Sequence, residues 1–375
     1  MIIQRDVQPQ IEEKLFQGKV IVVYGPRRVG KTTLVRAILE KFPVEDTRYL
    51  SCDEPDVRRA LTDKTSTELI AYLGKKKLIV LDEAQRVRNI GLTLKLLVDT
   101  APTIQIIATG SSSFDLSNKI IEPLTGRTYE FFVYPFSASE LSKHGSDIEE
   151  NRLLETRLIY GTYPDVVTHP EIAADTIRRI TRDYLYKDVL EYQRIKNPDV
   201  LEKLLQALAL QIGNEVSTTE LASLLGVDKK TISSYLRILE QSFVIFTRRP
   251  FVRNRRKELT KKCKVYFYDT GIRNALLGAY NTLDLRTDGG ALFENHCMSE
   301  RMKRNLKHDV WPNQFFWRTT DGQEVDLVED WNGVISGYEI KWSKQNVRIP
   351  KAWRTNYPKA TYTQIHRENY QDFVV

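Results

Sequence analysis

The sequence has few cysteines and no long apolar run, and each shortage excludes a class of protein. Its three cysteines, Cys52, Cys263 and Cys297, lie far apart and form no CxxC pair, so neither a zinc site nor a disulfide framework is indicated. No apolar stretch approaches the ~20 residues of a membrane span, and the N-terminus lacks the apolar segment of a signal peptide. We therefore expect a cytoplasmic protein with no membrane partner.

The composition is otherwise that of an ordinary globular protein. Hydrophobic residues make up 41% and charged residues 28% of the 375 positions, which is typical of folded soluble chains. A chain of this length predicts two to three domains rather than one core. The formal net charge of +7 permits polyanion binding, but the positions of the basic residues matter more than their sum.

The chain is organised around residues 19–33, KVIVVYGPRRVGKTT. An apolar run long enough for one buried strand leads into a glycine-containing turn, and the periodic apolar stripe that follows predicts a helix. Strand, glycine loop, Lys-Thr and helix match the phosphate-binding loop GxxxxGK[ST]. A chance glycine-lysine turn is the alternative, and the flanking strand and helix argue against it.

Each part of this loop has a physical role in nucleotide binding. Gly25 and Gly30 let successive backbone N–H groups face one anion, and the helix N-terminus adds the positive end of its dipole. Lys31 would reach the β- and γ-phosphates, and the Thr32 hydroxyl would bind Mg²⁺. The predicted nucleotide-binding residues are Gly25, Pro26, Arg27, Arg28, Val29, Gly30, Lys31, Thr32, Thr33 and Asp82.

Two later apolar runs end in residues suited to hydrolysis. The run LIVL leads into Asp82, which would hold Mg²⁺, and Glu83, which would polarise the attacking water. The run IQIIA ends at Thr109 and Ser111, either of which can sense the γ-phosphate at the carboxyl edge of a parallel sheet. The alternative for Asp82 and Glu83 is a strand that ends in solvent-exposed acids, and for Thr109 and Ser111 it is a polar loop after a strand.

Arg127 lies in the segment PLTGRTYE, which enters a further apolar strand. Because this loop follows the strand that ends at Thr109, Arg127 is a candidate arginine finger for the nucleotide of a neighbouring subunit. A solvated surface arginine is the alternative. The residues after it, 148–212, have a helical apolar pattern that fits either a lid over the nucleotide or plain helical packing.

Residues 213–268 predict a helix, a glycine turn, a second helix and two strands. This is the order of a winged helix-turn-helix, whose second helix enters the DNA major groove. A basic segment associated with these strands would neutralise phosphates. Its residues are Arg248, Arg249, Arg253, Arg255, Arg256, Lys257, Lys261, Lys262 and Lys264. A winged helix used for protein contacts or domain packing is the alternative. The residues predicted to bind DNA are Lys229, Lys230, Thr231, Ser234, Arg253, Arg255 and Arg256.

Residues 269–375 carry a pattern that resembles the PD-(D/E)xK nuclease core. Asp326 lies on one predicted strand, Glu339-x-Lys341 on its neighbour and Glu294 on the preceding helix. The carboxylates Glu294, Asp326 and Glu339 would hold Mg²⁺, while Lys341 would orient the attacking water or steady the phosphate. The same pattern arises by chance in β-hairpins, and such domains also serve as DNA-binding scaffolds.

In chain order the segments GPRRVGKTT, LIVLDEAQ, ATGSSS, LTGRTYEF, YPFSASE and GTYPDVV resemble the prokaryotic AAA+ ATPases that carry a C-terminal domain of unknown function. The resemblance continues through KVYFYDTGIRNALLG, FENH, EVD and YEIKWS. It implies that Lys31, Thr32, Asp82 and Glu83 carry ATP hydrolysis, with Arg127 as a finger in trans. It also implies a homo-oligomer, expected as a hexameric ring. The family's second sensor would be one of Arg178, Arg179 and Arg182.

We therefore predict an α/β chain with four parts. A P-loop AAA+ core with a parallel sheet and flanking helices occupies 1–147, a helical lid 148–212, a winged helix 213–268 and a restriction-endonuclease-like α/β domain 269–375. The expected function is an ATP-hydrolysing motor that remodels or unwinds DNA, branched or forked forms included, while the nuclease-like domain grips or cleaves it. The alternative is a nucleotide-controlled signalling or defence switch that acts on a protein partner.

Overall fold

The computed structural model describes residues 3–111, 124–184, 195, 197–251, 262–346 and 348–375. The chain divides into two compact units. The N-terminal unit comprises Ile2–Tyr134 with Gln241–Phe243, and the C-terminal unit comprises Pro135–Glu240 with Val244–Val375. Every helix in the described ranges is too short or too polar to span a bilayer.

A five-stranded parallel sheet organises the N-terminal unit. Its strands are β1 Val20–Tyr24, β2 Thr47–Ser51, β3 Leu78–Asp82, β4 Gln105–Gly110 and β5 Thr128–Phe132. Their spatial order is β2-β3-β4-β1-β5, and every neighbouring pair runs parallel. β1, β3 and β4 are buried along their whole length, as expected where helices cover both faces of a parallel sheet. The predicted parallel sheet with flanking helices is confirmed.

The helices of this unit are α1 Val7–Glu13, α2 Lys31–Leu39, α3 Pro55–Leu61, α4 Ser66–Leu73 and α5 Ile90–Thr100. The α2 helix begins directly after the glycine loop, as its sequence predicts. The α4 helix begins with a capping box, because the Thr65 side chain accepts from the Glu68 N–H while the Glu68 carboxylate accepts from the Thr65 N–H. Short 3₁₀ turns cover Val44–Asp46 and Ala84–Arg86.

The C-terminal unit has a mixed seven-stranded sheet in the order β12-β11-β10-β9-β7-β8-β6. The strands are β6 Glu215–Ser217, β7 Ile245–Pro250, β8 Lys262–Phe267, β9 Asn313–Arg318, β10 Glu324–Trp331, β11 Val334–Ile340 and β12 Thr361–Ile365. The helices are α6 Ala138–His144, α7 Asp147–Tyr160, α8 Pro164–Thr168, α9 Ala173–Tyr184, α10 Pro198–Leu210, α11 Thr218–Leu225, α12 Lys229–Gln241, α13 Thr270–Leu277, α14 Gly289–Lys307, α15 Lys351–Asn356 and α16 Tyr370–Val374.

Strands from the predicted winged helix and from the predicted nuclease-like domain belong to this one sheet. β7 pairs antiparallel with β8 and parallel with β9, where Arg249 and Pro250 lie opposite Phe315 and Phe316. The predicted helical pattern of 148–212 is present as α7 to α10, which lie in the same compact unit as the sheet. The boundaries between the four predicted domains remain a prediction.

A two-residue turn fixes the register of β10 and β11. Asn332 and Gly333 have φ values of 51° and 81°, the left-handed conformation that a tight Asn-Gly hairpin requires. Trp331 therefore pairs with Val334, and the pairing continues to Leu327 with Tyr338. The next position in this register puts Asp326 opposite Glu339, which brings two of the predicted nuclease residues together.

Candidate nucleotide site and carboxylate cluster

The glycine loop lies between the carboxyl end of β1 and the first residue of α2. A Cβ on Gly25 would lie 2.0 Å from the Val133 carbonyl oxygen, so the close approach of β5's continuation requires glycine there. Gly30 has φ of 92°, which a residue with a Cβ rarely adopts. Both glycines of the motif are therefore needed for the shape of the loop.

Lys31 points back into this loop. It is 5% exposed, and its ammonium donates to the carbonyl oxygens of Gly25 at 2.7 Å and Pro26 at 2.8 Å. The other positions predicted to bind nucleotide differ in exposure, and Thr33 lies in the first turn of α2. Val29 is fully buried, Arg27 is half-buried, and Arg28 and Thr33 are exposed. A phosphate in the loop would replace the two carbonyl contacts of the ammonium.

Three hydroxyl groups converge on the buried carboxylate of Asp82. Thr32 Oγ1 donates to Asp82 Oδ2 at 2.9 Å, and the Tyr49 hydroxyl donates to the same oxygen. Thr109 Oγ1 donates to Asp82 Oδ1 at 2.5 Å. The predicted Mg²⁺ ligands Thr32 and Asp82 thus lie side by side, and the predicted sensor Thr109 contacts one of them.

Glu83 follows Asp82 with a left-handed backbone, φ 54°, and its N–H donates to Thr109 Oγ1 at 3.1 Å. Gln85 holds the Glu83 side chain, because its Nε2 donates to Glu83 Oε2 at 2.5 Å and to Ser111 Oγ at 3.1 Å. Gln85 is 2% exposed. Sequence reasoning gave Gln85 no role, although it lies two positions after the acid that it orients.

Burial and nearby carboxylates keep the Cys52 thiol and the Tyr49 hydroxyl protonated. Burial raises the pKa of Cys52 to about 12, and the negative charges of Asp82, Asp53 and Glu83 act in the same direction. Burial also raises the pKa of Tyr49 to about 12, supported by its hydrogen bond to Asp82. The Tyr49 hydroxyl therefore remains a donor to that carboxylate at neutral pH.

Arg127 does not join this group within its own chain. It directly precedes β5, whose first residue Thr128 pairs with Val20, the first residue of β1. The glycine loop lies at the opposite end of β1, about 13 Å along the strand. Arg127 Nε instead donates to Asp99 Oδ1 at 2.8 Å, and both side chains are 40% exposed.

These residues fit a nucleotide with Mg²⁺. A shaped loop, a buried ammonium, and a hydroxyl next to a carboxylate are the donor set that such a ligand needs. When bound, the metal would neutralise phosphate charge and leave the orientation of water to protein side chains. Glu83, held through its backbone by Thr109 and through its carboxylate by Gln85, is positioned for that role.

In the C-terminal unit the four predicted nuclease residues come together. Lys341 Nζ lies 2.7 Å from Glu339 Oε1 and 3.3 Å from Asp326 Oδ2, and the Ile340 N–H donates to Asp326 Oδ2 at 2.8 Å. Glu294 on α14 joins them through Lys264, a buried residue of β8. We call Glu294, Glu324, Asp326 and Glu339 the carboxylate cluster.

Lys264 was placed in the basic segment by sequence reasoning and belongs instead to this cluster. Its Nζ lies 3.2 Å from Glu294 Oε1 and 3.6 Å from Asp326 Oδ1, and it forms an ion pair with Glu324. The Tyr266 hydroxyl also donates to Glu294 Oε1, at 2.7 Å. No local pattern identifies Lys264, because its partners lie on other elements.

The electrostatics of the cluster follow from burial among like and opposite charges. Burial raises the pKa of Glu294 to about 7, a shift that Lys264 opposes and Asp326 reinforces. Burial, reinforced by the charge of Asp326, also raises the pKa of Glu339. Although burial alone lowers the pKa of Lys341, Asp326 and Glu339 raise it above the ordinary value. Burial lowers the pKa of Lys264 as well, but nearby groups including Glu294 and Asp326 raise it well above its ordinary value. Lys264 and Lys341 therefore both stay charged at neutral pH.

The predicted nuclease metal set does not form an open ligand shell. In the part of the chain that the structure describes, no group of three or more His, Cys, Asp and Glu side chains is placed to hold a metal ion. Glu294, Asp326 and Glu339 each face an ammonium group instead.

The predicted DNA-binding residues divide between described and undescribed parts of the chain. Helix α11, Gly226 with φ of 66°, and α12 follow one another as predicted. Lys229, Lys230 and Ser234 are exposed on α12. Thr231 is engaged locally, since its Oγ1 donates to Asp228 Oδ2 at 2.7 Å. The remaining predicted contacts lie outside the described residues: Arg253, Arg255 and Arg256.

The candidates for a second sensor lie on α9, in the C-terminal unit. Arg178, Arg179 and Arg182 are all exposed, and Arg178 pairs with Asp175 at 3.2 Å. Their position on one helix face does not distinguish among them.

The parallel sheet with a phosphate-binding loop after β1 and acids after β3 defines an AAA-type ATPase fold. Residues 17–142 match the family model of an AAA domain. Residues 151–283 and 289–370 match two models described as domains of unknown function, DUF8612 and DUF4143. The chain thus combines an AAA domain with C-terminal regions of unknown function, as the sequence resemblance implied.

Several proteins are similar over most of the chain. The uncharacterized protein Rv2008c of Mycobacterium tuberculosis is 28% identical over 348 residues, covering 91% of this chain and 74% of its own. The uncharacterized protein MJ1544 of Methanocaldococcus jannaschii is 26% identical, covering 87% and 75%. Among solved structures, the Walker-type ATPase PABY2304 of Pyrococcus abyssi is 17% identical with a TM-score of 0.50, covering 74% of this chain and 96% of that chain. The structural likeness supports the fold alone.

Proposed function

We propose that this chain hydrolyses ATP and uses the cycle to remodel or unwind DNA. The observation that carries the ATPase part is the hydrogen-bond network around Asp82. In this network Thr32 and Thr109 join three parts of the site: the nucleotide loop, the acids at the end of β3 and the end of β4. A change in the phosphates at Lys31 and Thr32 would therefore reach Glu83 through two side chains.

The proposed roles in hydrolysis follow from these contacts. Lys31 binds the terminal phosphates, Thr32 and Asp82 hold Mg²⁺, and Glu83 accepts a proton from the attacking water. Thr109 senses the terminal phosphate because it already bonds both to Asp82 and to the Glu83 backbone. Gln85 is a positioning residue for the Glu83 carboxylate.

We further propose that the ATP site is completed by a second copy of the chain. Arg127 lies at the sheet edge opposite its own nucleotide loop, so a finger role requires a neighbouring subunit. Its ion pair with Asp99 is exposed, and exposed pairs stabilise by ~1 kcal/mol or less. That contact is weak enough to exchange for a phosphate. A homo-oligomeric ring, most simply a hexamer, satisfies this geometry.

The DNA part of the proposal is supported by the surface of α12. Ile232, Leu236 and Leu239 are buried, while Lys229, Lys230 and Arg237 are exposed. A helix with this division presents its basic face to a phosphate backbone. In the sequence, residues 252–261 add five basic residues and one acid. The nuclease-like domain would grip the same DNA.

The test is ATPase activity measured without nucleic acid and with linear, forked and branched DNA, using Lys31→Ala as the blank. We expect DNA to stimulate turnover severalfold, most strongly for forked or branched DNA. The double variant Lys229→Ala/Lys230→Ala should weaken binding uniformly and reduce the slope of log affinity against log salt by about 2. The double variant Lys75→Ala/Lys77→Ala in the N-terminal unit, where both side chains are exposed, is the matched charge control.

The contrary outcome has a specific meaning. Turnover that no nucleic acid stimulates, together with unchanged salt dependence in the α12 variant, would rule out the DNA motor. That result would favour the nucleotide-controlled switch acting on a protein partner, while leaving the ATPase assignment intact.

A further inference from the structure

Lys264 is the most deeply buried lysine of the C-terminal unit described by the structure, with 2% of its surface exposed. Three carboxylates surround its ammonium: Glu294, Glu324 and Asp326. The ring of Phe316 covers another side, with its centroid 5.7 Å from Nζ. A buried ammonium is costly unless paired, and here pairing comes from several acids at once.

The ammonium of Lys264 reaches a strand that is distant from its own. β8, which carries Lys264, is separated from β10, which carries Asp326, by β7 and β9. In a flat sheet, three strand spacings would separate the two backbones by about 14 Å. The Lys264 Nζ nevertheless lies 3.6 Å from Asp326 Oδ1, so the length of the lysine side chain and the tertiary arrangement of the strands together bring it into the carboxylate cluster.

Three of the carboxylate oxygens that a metal would use already have partners. Glu294 Oε1 faces Lys264 and accepts from Tyr266. Asp326 Oδ1 faces Lys264, while Oδ2 accepts from the Ile340 N–H and pairs with Lys341. Magnesium needs oxygen ligands at ~2.0–2.1 Å in octahedral geometry. An ammonium between the same oxygens leaves no room for that ion and repels it.

We propose that Lys264 is the built-in cation of the carboxylate cluster, standing where a nuclease of this pattern would hold Mg²⁺. The cluster then fastens β8 to α14 and β10 by ionic contacts and does not cleave DNA through a metal. Lys264 comes from the predicted winged helix, and its partners come from the predicted nuclease-like domain. The contact therefore makes the two regions one structural unit. This inference is independent of the ATPase and of DNA binding.

The test is Mn²⁺ binding to the full-length protein without nucleotide, measured by calorimetry and by electron paramagnetic resonance. We expect Lys264→Ala to bind one more equivalent of Mn²⁺ than the wild type, because removal of the ammonium frees the carboxylates. The double variant Lys264→Ala/Asp326→Asn should lose that extra site. Lys262→Ala is the matched control, since Lys262 lies on the same strand but its side chain is 65% exposed.

Stability gives a second readout. Mn²⁺ should raise the melting temperature of Lys264→Ala, since binding to the folded state alone stabilises it, and should leave that of the wild type unchanged. Should Lys264→Ala fail to fold, the wild type still decides the matter. A stoichiometric Mn²⁺ site in the wild type that Asp326→Asn or Glu294→Gln abolishes would overturn the proposal. Absence of any such site supports it.

Discussion

Thr109 Oγ1 donates to Asp82 Oδ1 at 2.5 Å and accepts from the Glu83 N–H at 3.1 Å. One hydroxyl at the end of β4 therefore bonds to both Asp82, the last residue of β3, and Glu83, which follows it. Since a hydroxyl has one proton and two lone pairs, a second acceptor position remains for another donor. This arrangement fixes the relative position of Asp82, the proposed metal ligand, and Glu83, the proposed general base.

Replacing Thr109 with valine should lower kcat for ATP hydrolysis about 10- to 100-fold, while KM for ATP changes much less. Valine keeps the shape of the threonine side chain but lacks the hydroxyl that accepts from the Glu83 N–H. Lys31, which would bind the phosphates, is unchanged. Steady-state kinetics on the variant checks this. Thr93→Val is the control, because Thr93 is equally buried but donates to the Leu61 carbonyl. Equal loss in both variants would point to general destabilisation.

Replacing Gln85 with leucine should also lower kcat and leave ATP affinity nearly unchanged. The Gln85 amide donates to the Glu83 carboxylate, so its loss should disturb turnover more than nucleotide binding. Binding of a fluorescent ATP analogue and turnover are measured on the same preparation. A variant that loses affinity and turnover in parallel would contradict a positioning role.

Mixing two inactive variants tests whether Arg127 acts across a subunit boundary. Lys31→Ala retains the arginine but lacks a working site, and Arg127→Ala retains the site but lacks the arginine. Mixed oligomers should recover part of the ATPase activity if the finger acts in trans. Asp99→Ala, which removes the ion-pair partner of Arg127, should keep activity. If Arg127→Ala alone keeps full ATPase activity, Arg127 is a surface arginine with no role in hydrolysis.

Acid should destabilise the C-terminal unit through His296. Burial lowers its pKa from 6.5 to about 4; Glu300 and Glu150 oppose this shift, and Lys303 and Arg157 reinforce it. Because the unfolded state binds the proton more tightly, the free energy of unfolding falls as pH drops from 6.5 towards 4. The loss is at most about 3 kcal/mol.

Urea unfolding of the wild type and His296→Gln across this range measures the effect. The free energy of unfolding of the variant should depend less steeply on pH, by a slope equivalent to at most one bound proton. Below pH 4 the slopes of the two proteins should be nearly equal. Parallel curves between pH 4 and 6.5 would mean that other groups cause the acid sensitivity.

The cysteines should resist thiol reagents in the folded protein. Burial raises the pKa of Cys52 to about 12, that of Cys263 to about 11 and that of Cys297 well above its usual value. Because the thiolate is the reactive form, Ellman's reagent at pH 8 should react slowly with the native chain. In denaturant all three thiols should react quickly. Fast labelling of Cys52 in the native state would contradict its burial.

The sequence predicted the nucleotide site because its parts are local. The spacing from Gly25 to Thr32 and the acids at the end of β3 are set by consecutive residues, and the carboxyl edge of a parallel sheet brings them together. The placement of Glu339 and Lys341 on one strand face was similarly readable, since side chains alternate between the two faces of a strand with period 2. The end of the sheet at which Arg127 lies follows from the parallel direction of β5. The pairing of Arg127 with Asp99 could not be predicted from the sequence.

The sequence by itself thus determined the phosphate-binding loop, the acids Asp82 and Glu83, and the nuclease-like pattern of carboxylates. Only the tertiary structure decided what surrounds each acid: Gln85 on Glu83, Thr109 on Asp82 and Lys264 among the carboxylates of the C-terminal unit. The physical reason is that a loop's hydrogen bonds depend on neighbouring residues, whereas the environment of a buried charge depends on how distant strands curve and pack. For Lys264, that packing places a residue of a predicted basic segment among buried carboxylates.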